Sequence, residues 1–236
     1  EGLASDGKLT VLVQARGAEY QPVTTRPATA DTVANDYVWD GTGIPEQYDF
    51  AFAWITDTQY YSEQFMENFD AVTDWIVDQK DRLGIEYAIH TGDIVDEFNE
   101  AYQFENASRE LEKLEDAGLP YGVLGGNHDV AHGNENYELY NKYFGAFRYE
   151  GNPWYGGTYE DNKGHYDLVQ VDGEKLLLIY MSWDIYTPEV EWINSVLEQY
   201  PDRKAILCTH PGINANAVPD YFSDLLVEQV CRDHPN

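Results

Sequence analysis

Basic residues are scarce in this chain of 236 residues. Fourteen Lys and Arg stand against 43 Asp and Glu, a formal net charge of −29. A surface of that sign repels polyanions, so no long nucleic acid is expected as a partner. The plain meaning of the charge is solubility or adaptation to salt, with clustered carboxylates available to take up cations. Cysteine is scarcer still. Cys208 and Cys231 lack C-x-x-C spacing, which excludes a cysteine zinc site. Both lie in apolar, element-like stretches, so buried free thiols are expected, with a mutual disulfide as the alternative. Few cysteines and few lysines also suit an exported bacterial protein, extracellular or at the cell surface. Long apolar runs are missing: nothing reaches the ~20 residues needed to cross a bilayer, and nothing has the shape of a signal peptide. No membrane span is expected, and a targeting segment or anchor is expected only outside a chain that starts at Glu1.

Aromatic residues, by contrast, are plentiful: 19 Tyr, 9 Phe and 6 Trp exclude a disordered acidic tail. The length suits one well-cored domain, or one domain and part of another. Residues 1–48 differ from the rest. One strand is read at Lys8–Gln14, followed by a Thr/Pro/Ala stretch at Gln21–Ala30. This part is expected to be an arm, or the tail of a preceding module plus a linker, before a domain spanning 49–236. From there strands and helices alternate. Strands are expected at Phe50–Thr56, Tyr87–Thr91, Tyr121–Leu124 and Lys204–Thr209. A hairpin is expected at His165–Val171 and Lys175–Met181, around Asp172-Gly173. Helices are expected at Glu63–Leu83, Ala101–Ala117, Tyr137–Phe144, Pro188–Tyr200 and Tyr221–Arg232. The alternation predicts an α/β layered fold, and the hairpin makes a sheet mixed.

After each of four apolar strands comes a polar cluster. These are Asp57-Thr58-Gln59, His90-Thr91-Gly92-Asp93, Gly125-Gly126-Asn127-His128-Asp129 and Thr209-His210-Pro211. In an open α/β sheet, sites form outside the carboxyl ends of strands, so four such clusters are expected to converge. Asp, Asn, His and a side-chain amide suit divalent ions such as Mn, Fe or Zn. Gly92 and Gly126 let the chain turn tightly beside the next side chain. Taken singly, each Asp reads as a cap or turn residue and His210 as a structural histidine; four together in one order favour a shared metal site.

These residues resemble the calcineurin-like metallophosphoesterase superfamily. Its pattern runs D-x-H, G-D-x-x-D, G-N-H-D/E, a lone His, then G-H-x-H. The likeness covers roughly residues 50–236 and is carried by Asp57-Thr58-Gln59, Gly92-Asp93-Ile94-Val95-Asp96, Gly126-Asn127-His128-Asp129 and His210. It implies an α/β layered sandwich with mixed β-sheets flanked by helices. It further implies two divalent metal ions, with Asp93 bridging them, Asp57 and Gln59 completing one site, and Asn127 and His210 serving the other. The implied activity is hydrolysis of a small phosphodiester or phosphomonoester by a dinuclear metal-bound hydroxide. His128 would face the substrate as acid or charge stabiliser, and Asp129 would hydrogen-bond His128 and fix its orientation.

The chain departs from that pattern twice. Gln59 stands where the family usually has His, and an amide oxygen is neutral and harder than imidazole, which shifts metal preference. The terminal G-H-x-H is absent, since His234 has the wrong neighbours; the catalytic domain is therefore expected to be C-terminally truncated, with about two ligands outside the chain. The rival readings are a catalytically degenerate surface binding module, and a metal-free hydrolase using Asp57 and Asp93. The latter leaves Asn127 and His210 without a task. His90 is read as structural or supporting, Asp96 as bracing its loop, and Tyr60, Tyr61, Trp183 and Asn214 as possible cleft residues. His132 and His165 carry no spacing signal.

Overall fold

The computed structural model describes residues 48–131, 135–212, 219–234 and 236. The arm read into residues 1–48 therefore falls, but for Tyr48, outside the described residues, as do His132 and Asn214.

Three parallel strands form the first sheet: β1 (Ala51–Ile55), β2 (Ile85–His90) and β3 (Tyr121–Val123), in that order. The second sheet has the order β4 (Tyr155–Tyr159), β5 (Gly164–Val171), β6 (Glu174–Met181) and β7 (Lys204–Thr209). It is antiparallel except for the parallel β6–β7 pair, so the mixing expected from the hairpin is confined to this sheet. Between β5 and β6, Asp172 and Gly173 both take positive φ, at 46° and 84°, as a two-residue hairpin turn requires.

Strand alternation on β6 explains the layering. Leu177, Ile179 and Met181 face one way, into a cluster with Val190, Ile193, Val196 and Leu197 of the helix α5 (Thr187–Gln199). Tyr180 faces the other way and meets the first sheet: its hydroxyl donates to Tyr87 of β2 at 3.2 Å. A side chain at Gly122 of β3 would strike the Tyr180 ring at 2.5 Å, so the glycine admits the ring between the sheets. The first sheet carries α2 (Met66–Leu83) and α3 (Ala101–Asp116), which pack on each other, and α4 (Glu138–Phe144) packs on α3. The architecture is thus α/β, with two sheets flanked by helices. No helix among the described residues is long and apolar enough to cross a membrane.

Several boundaries differ from the sequence reading. The helix expected from Glu63 is two: α1 (Gln59–Glu63) and α2, broken at Gln64 and Phe65. Phe65 is exposed, and the buried stripe runs through Phe69, Thr73, Ile76 and Leu83 instead, with the Thr73 hydroxyl bonded to Glu110 of α3 at 3.1 Å. Strand β4, Tyr155-Gly156-Gly157-Thr158-Tyr159, was not among the expected elements. Its glycines serve packing: a Cβ at Gly156 would lie 2.2 Å from the Tyr166 ring. The last helix, α6 (Tyr221–Leu226), continues as a π-helical turn to Cys231. Cys208 is buried and Cys231 exposed, both free; the disulfide does not form, and only one thiol is buried as expected.

Between the sheets lies a polar group that the sequence did not signal. The His165 ring stacks on Tyr180 at 4.3 Å and on Tyr149 at 5.8 Å, and Tyr87 donates its hydroxyl to Asp167. Burial pushes the Asp167 carboxyl up to about 8, partly opposed by the Tyr87 bond, and pulls the His165 imidazole down to about 3. The folded pair therefore holds one proton, on Asp167. The unfolded pair also holds one, on histidine, between pH 3.8 and 6.5, so the two effects cancel there. Above pH 6.5 the unfolded pair has none while the folded pair keeps its proton until about pH 8, so stability falls across that window by about 2 kcal/mol. His210, held up to about 9, adds a fall of its own to both proteins, so thermal denaturation at pH 6.5 and 8 should show a clearly smaller fall in Asp167→Asn than in the native chain; an equal fall in both contradicts the assignment.

Candidate metal centre

All three strands of the first sheet run parallel, so their carboxyl ends share one edge. Asp57 follows β1, Asp93 follows β2 and Asn127 follows β3, while His210 immediately follows β7 of the second sheet. The backbone turns sharply at two of these points. Asp57 has φ 54° and Asp93 φ 52°, left-handed values that cost a non-glycine residue roughly 1 kcal/mol and concentrate at functional sites. The Asp57 N–H donates to the Gly92 carbonyl at 3.1 Å, which ties the first loop to the second.

Both glycines act, but differently. Gly92 takes φ 92°. Gly126 has no such conformation; it is needed for close approach, since a Cβ there would lie 2.2 Å from Asp93 Oδ1 and 2.5 Å from the Asp93 nitrogen.

The result is a convergence of donors. One ligand atom each from Asp57, Asp93 and His210 lies within 4.8 Å of the others. Asn127 Oδ1 is 3.2 Å from His210 Nε2, and Asp93 Oδ1 is 3.4 Å from the same nitrogen. The other ring nitrogen, His210 Nδ1, lies 2.8 Å from the Thr91 carbonyl. With its proton on Nδ1, the ring donates there and points the Nε2 lone pair into the cluster, the usual arrangement behind a metal-bound imidazole. Gln59 opens α1, and its Oε1 is buried without a hydrogen-bond partner. A buried amide oxygen left unpaired costs about 1–3 kcal/mol, and coordination to a cation would satisfy it.

The electrostatics agree with a site built for positive charge. Asp93 is buried, which works against its charge, but the His210 ring, the His128 backbone N–H and the His128 ring outweigh burial and hold its carboxyl below the usual range. Burial also opposes charge on His210, yet Asp93, the Thr91 carbonyl and Asp129 push it up to about 9. Two carboxylates, one imidazole and the Asn127 amide oxygen make a donor set that suits a divalent ion.

His128 is half-exposed beside this cluster. Its Nδ1 contacts the Asp96 carbonyl at 2.8 Å and the Asp96 carboxylate at 3.3 Å. This corrects the role read for Asp129. The Asp129 carboxylate, fully buried, instead accepts the backbone N–H of Val95 at 2.8 Å and of Gly126 at 2.7 Å. It lies under the two loops and locks them together, because its neighbour His128 turns toward the opposite loop. Asp96, read only as a loop brace, is the residue that orients His128. Gln103 in turn accepts from the Asp96 N–H at 2.7 Å, a helix contact with no sequence signature. His90 is buried as read: Nδ1 accepts from the Gly92 N–H, and Nε2 lies 2.9 Å from the Thr58 hydroxyl. Burial lowers its pKa to about 3, and neutral it supports the Asp57–Gln59 loop rather than joining the cluster.

A profile of the calcineurin-like phosphoesterase family matches residues 50–235, most of the chain and all of the donors above. The chain belongs to the calcineurin-like phosphoesterase family. Among curated proteins it is 38% identical over 237 residues to the uncharacterized protein YvnB of Bacillus subtilis (strain 168). That alignment covers 94% of this chain but only 18% of YvnB, so the chain spans less than a fifth of its relative. Among solved structures it is similar to the purple acid phosphatase PPD1 of yellow lupin (Lupinus luteus) seeds. There the TM-score is 0.37 and the identity 15%, over 59% of this chain and 25% of that one. The family is one of phosphoesterases, and its members generally bind divalent metals.

Proposed function

We propose that the Asp57–Gln59–Asp93–Asn127–His210 cluster holds two divalent ions, bridged by Asp93, and that the chain hydrolyses small phosphodiesters or phosphomonoesters there. The observation that carries this reading is the convergence of Asp57, Asp93 and His210 ligand atoms within 4.8 Å; Gln59, two residues after Asp57, has a buried side-chain oxygen without a hydrogen-bond partner. Such an ion pair supplies a nucleophilic hydroxide and a clamp for the phosphoryl oxygens. The protein's part is geometric. The Asp93 and Asn127 loops are fixed by Asp129 and by the Gly126 contact, so the donors need no rearrangement when substrate arrives. His128, held by Asp96, delivers a proton to the departing oxygen. With a net charge of −29, the surface favours a small ester over a long polyanion.

The test is hydrolysis of bis-p-nitrophenyl phosphate and of an alkyl phosphate ester with Mn. Activity should vanish with EDTA and return with Mn. His128→Ala should slow the alkyl ester by about a hundredfold or more, and the nitrophenyl ester far less, because nitrophenolate leaves without a proton. Equal losses on both substrates would remove His128 from the acid role; activity untouched by EDTA would remove the metals.

A further inference from the structure

Four aromatic rings run without a break from the cluster to the surface. Trp183 meets the His210 ring edge-on, with centroids 5.8 Å apart. Phe222 meets Trp183 at 5.9 Å, and Tyr186 and Tyr221 meet Phe222 at 6.0 and 5.6 Å. Every one of these contacts is edge-to-face, at interplanar angles of 65° to 77°, so none of these pairs is stacked face to face. Tyr221 is 68% exposed, the highest value among the large exposed hydrophobic side chains of the described residues, and Tyr186 is 50% exposed.

The inner end of this wall is rigidly placed. The Trp183 N–H donates to the Gly125 carbonyl at 2.8 Å, and Ser182 Oγ accepts from the Gly125 N–H at 2.8 Å. Trp183 is thereby fixed to the loop that carries Asn127. The outer end is set by α6 (Tyr221–Leu226), capped by Asp220, whose carboxylate accepts the Ser223 N–H at 2.8 Å.

We infer that this wall, Trp183, Phe222, Tyr186 and Tyr221, binds a planar aromatic group of the substrate, a nucleobase carried by the phosphoester. The inference rests on the proposed phosphoesterase reading and specifies its substrate class. In a nucleotide the base lies one pentose from the phosphoryl group, and Trp183, with its ring centroid 5.8 Å from that of His210, is the first ring outward from the cluster. Stacking needs only a π-face and suits any base. The polar groups beside the wall are already engaged. Asp220 caps α6, the Ser223 hydroxyl donates to the Gly212 carbonyl at 2.6 Å, and Glu189 accepts the Tyr186 N–H at 2.9 Å and pairs with Lys163. What the wall offers is aromatic surface, suited to stacking against a base.

AMP and ribose 5-phosphate carry the same ester bond and the same leaving alkoxide, and differ only in the base. The Mn-loaded full chain should show a kcat/KM ratio of at least about tenfold in favour of AMP, collapsing to within about twofold in Tyr221→Ala and in the milder Phe222→Leu. A ratio near one in the native chain overturns the inference. Adenosine, which has no phosphate, separates this result from the hydrolase reading. It should quench tryptophan fluorescence saturably, with affinity at least about fivefold weaker in Tyr221→Ala. Absence of saturable quenching overturns the wall even if phosphoesters are hydrolysed; saturable, Tyr221-dependent quenching sustains it even if AMP is not.

Discussion

Replacing Asp93 by Asn is expected to lower phosphoester hydrolysis by at least about a thousandfold, some 4 kcal/mol of transition-state stabilisation, with the fold intact. Asparagine is the informative substitution. Asp93 has φ 52°, a conformation that Asn tolerates and Ala does not, so an alanine would add backbone strain to the loss of charge. Asn has the same shape, and its carbonyl oxygen still accepts the His128 N–H that Asp93 Oδ1 holds at 3.1 Å. What it removes is the negative charge facing His210 at 3.4 Å and shared, in the proposed centre, between two ions. Divalent-metal uptake should fall with the activity, while circular dichroism and Tm stay close to the native values. Retention of more than a tenth of the activity would show that Asp93 is not the bridge.

Gly126→Ala is expected to have an effect of similar size by another route. Its added Cβ would stand 2.5 Å from the Asp93 nitrogen and 2.2 Å from Oδ1, and the backbone atom has no rotamer by which to yield. Both loops are also fixed from below by Asp129, which holds Val95 and Gly126 together. Forcing them apart displaces Asp93 and Asn127 at once. Overpacking of this kind costs about 2 kcal/mol, a fall in Tm of roughly 4–8 °C for a domain of this size. Activity should drop about a hundredfold or more, since a displacement on the order of 1 Å has that effect. Gly212→Ala is the control: its Cβ would meet nothing within 4 Å, and both activity and Tm should be unchanged.

Most of this centre was legible in the sequence because it is a strand-end device. Asp57, Asp93, Asn127 and His210 each follow an apolar run, and local pattern is enough to put each of them at a strand end, the first three on one sheet edge and His210 on the other sheet. The alternation of β6 and the Asp172-Gly173 turn were legible for the same reason, both being local. What failed depended on contacts between distant segments. Asp129 was assigned to its neighbour His128, yet its partners are set by how the second and third loops meet. The His128–Asp96 contact bridges the same two loops in the opposite sense. Strand β4 was hidden because its glycines make room for Tyr166 on a neighbouring strand, and the Tyr87–Asp167–His165 group because its members come from two sheets. Sequence spacing carries none of that information.

Metal stoichiometry tests the central claim most directly. Apoprotein prepared with EDTA should be titrated with Mn by calorimetry, in the native chain and in Asp93→Asn. Two ions per native chain and their loss in Asp93→Asn is the predicted result. No uptake by the native chain, or uptake that Asp93→Asn leaves unchanged, would contradict a metal centre built on Asp57, Gln59, Asp93, Asn127 and His210.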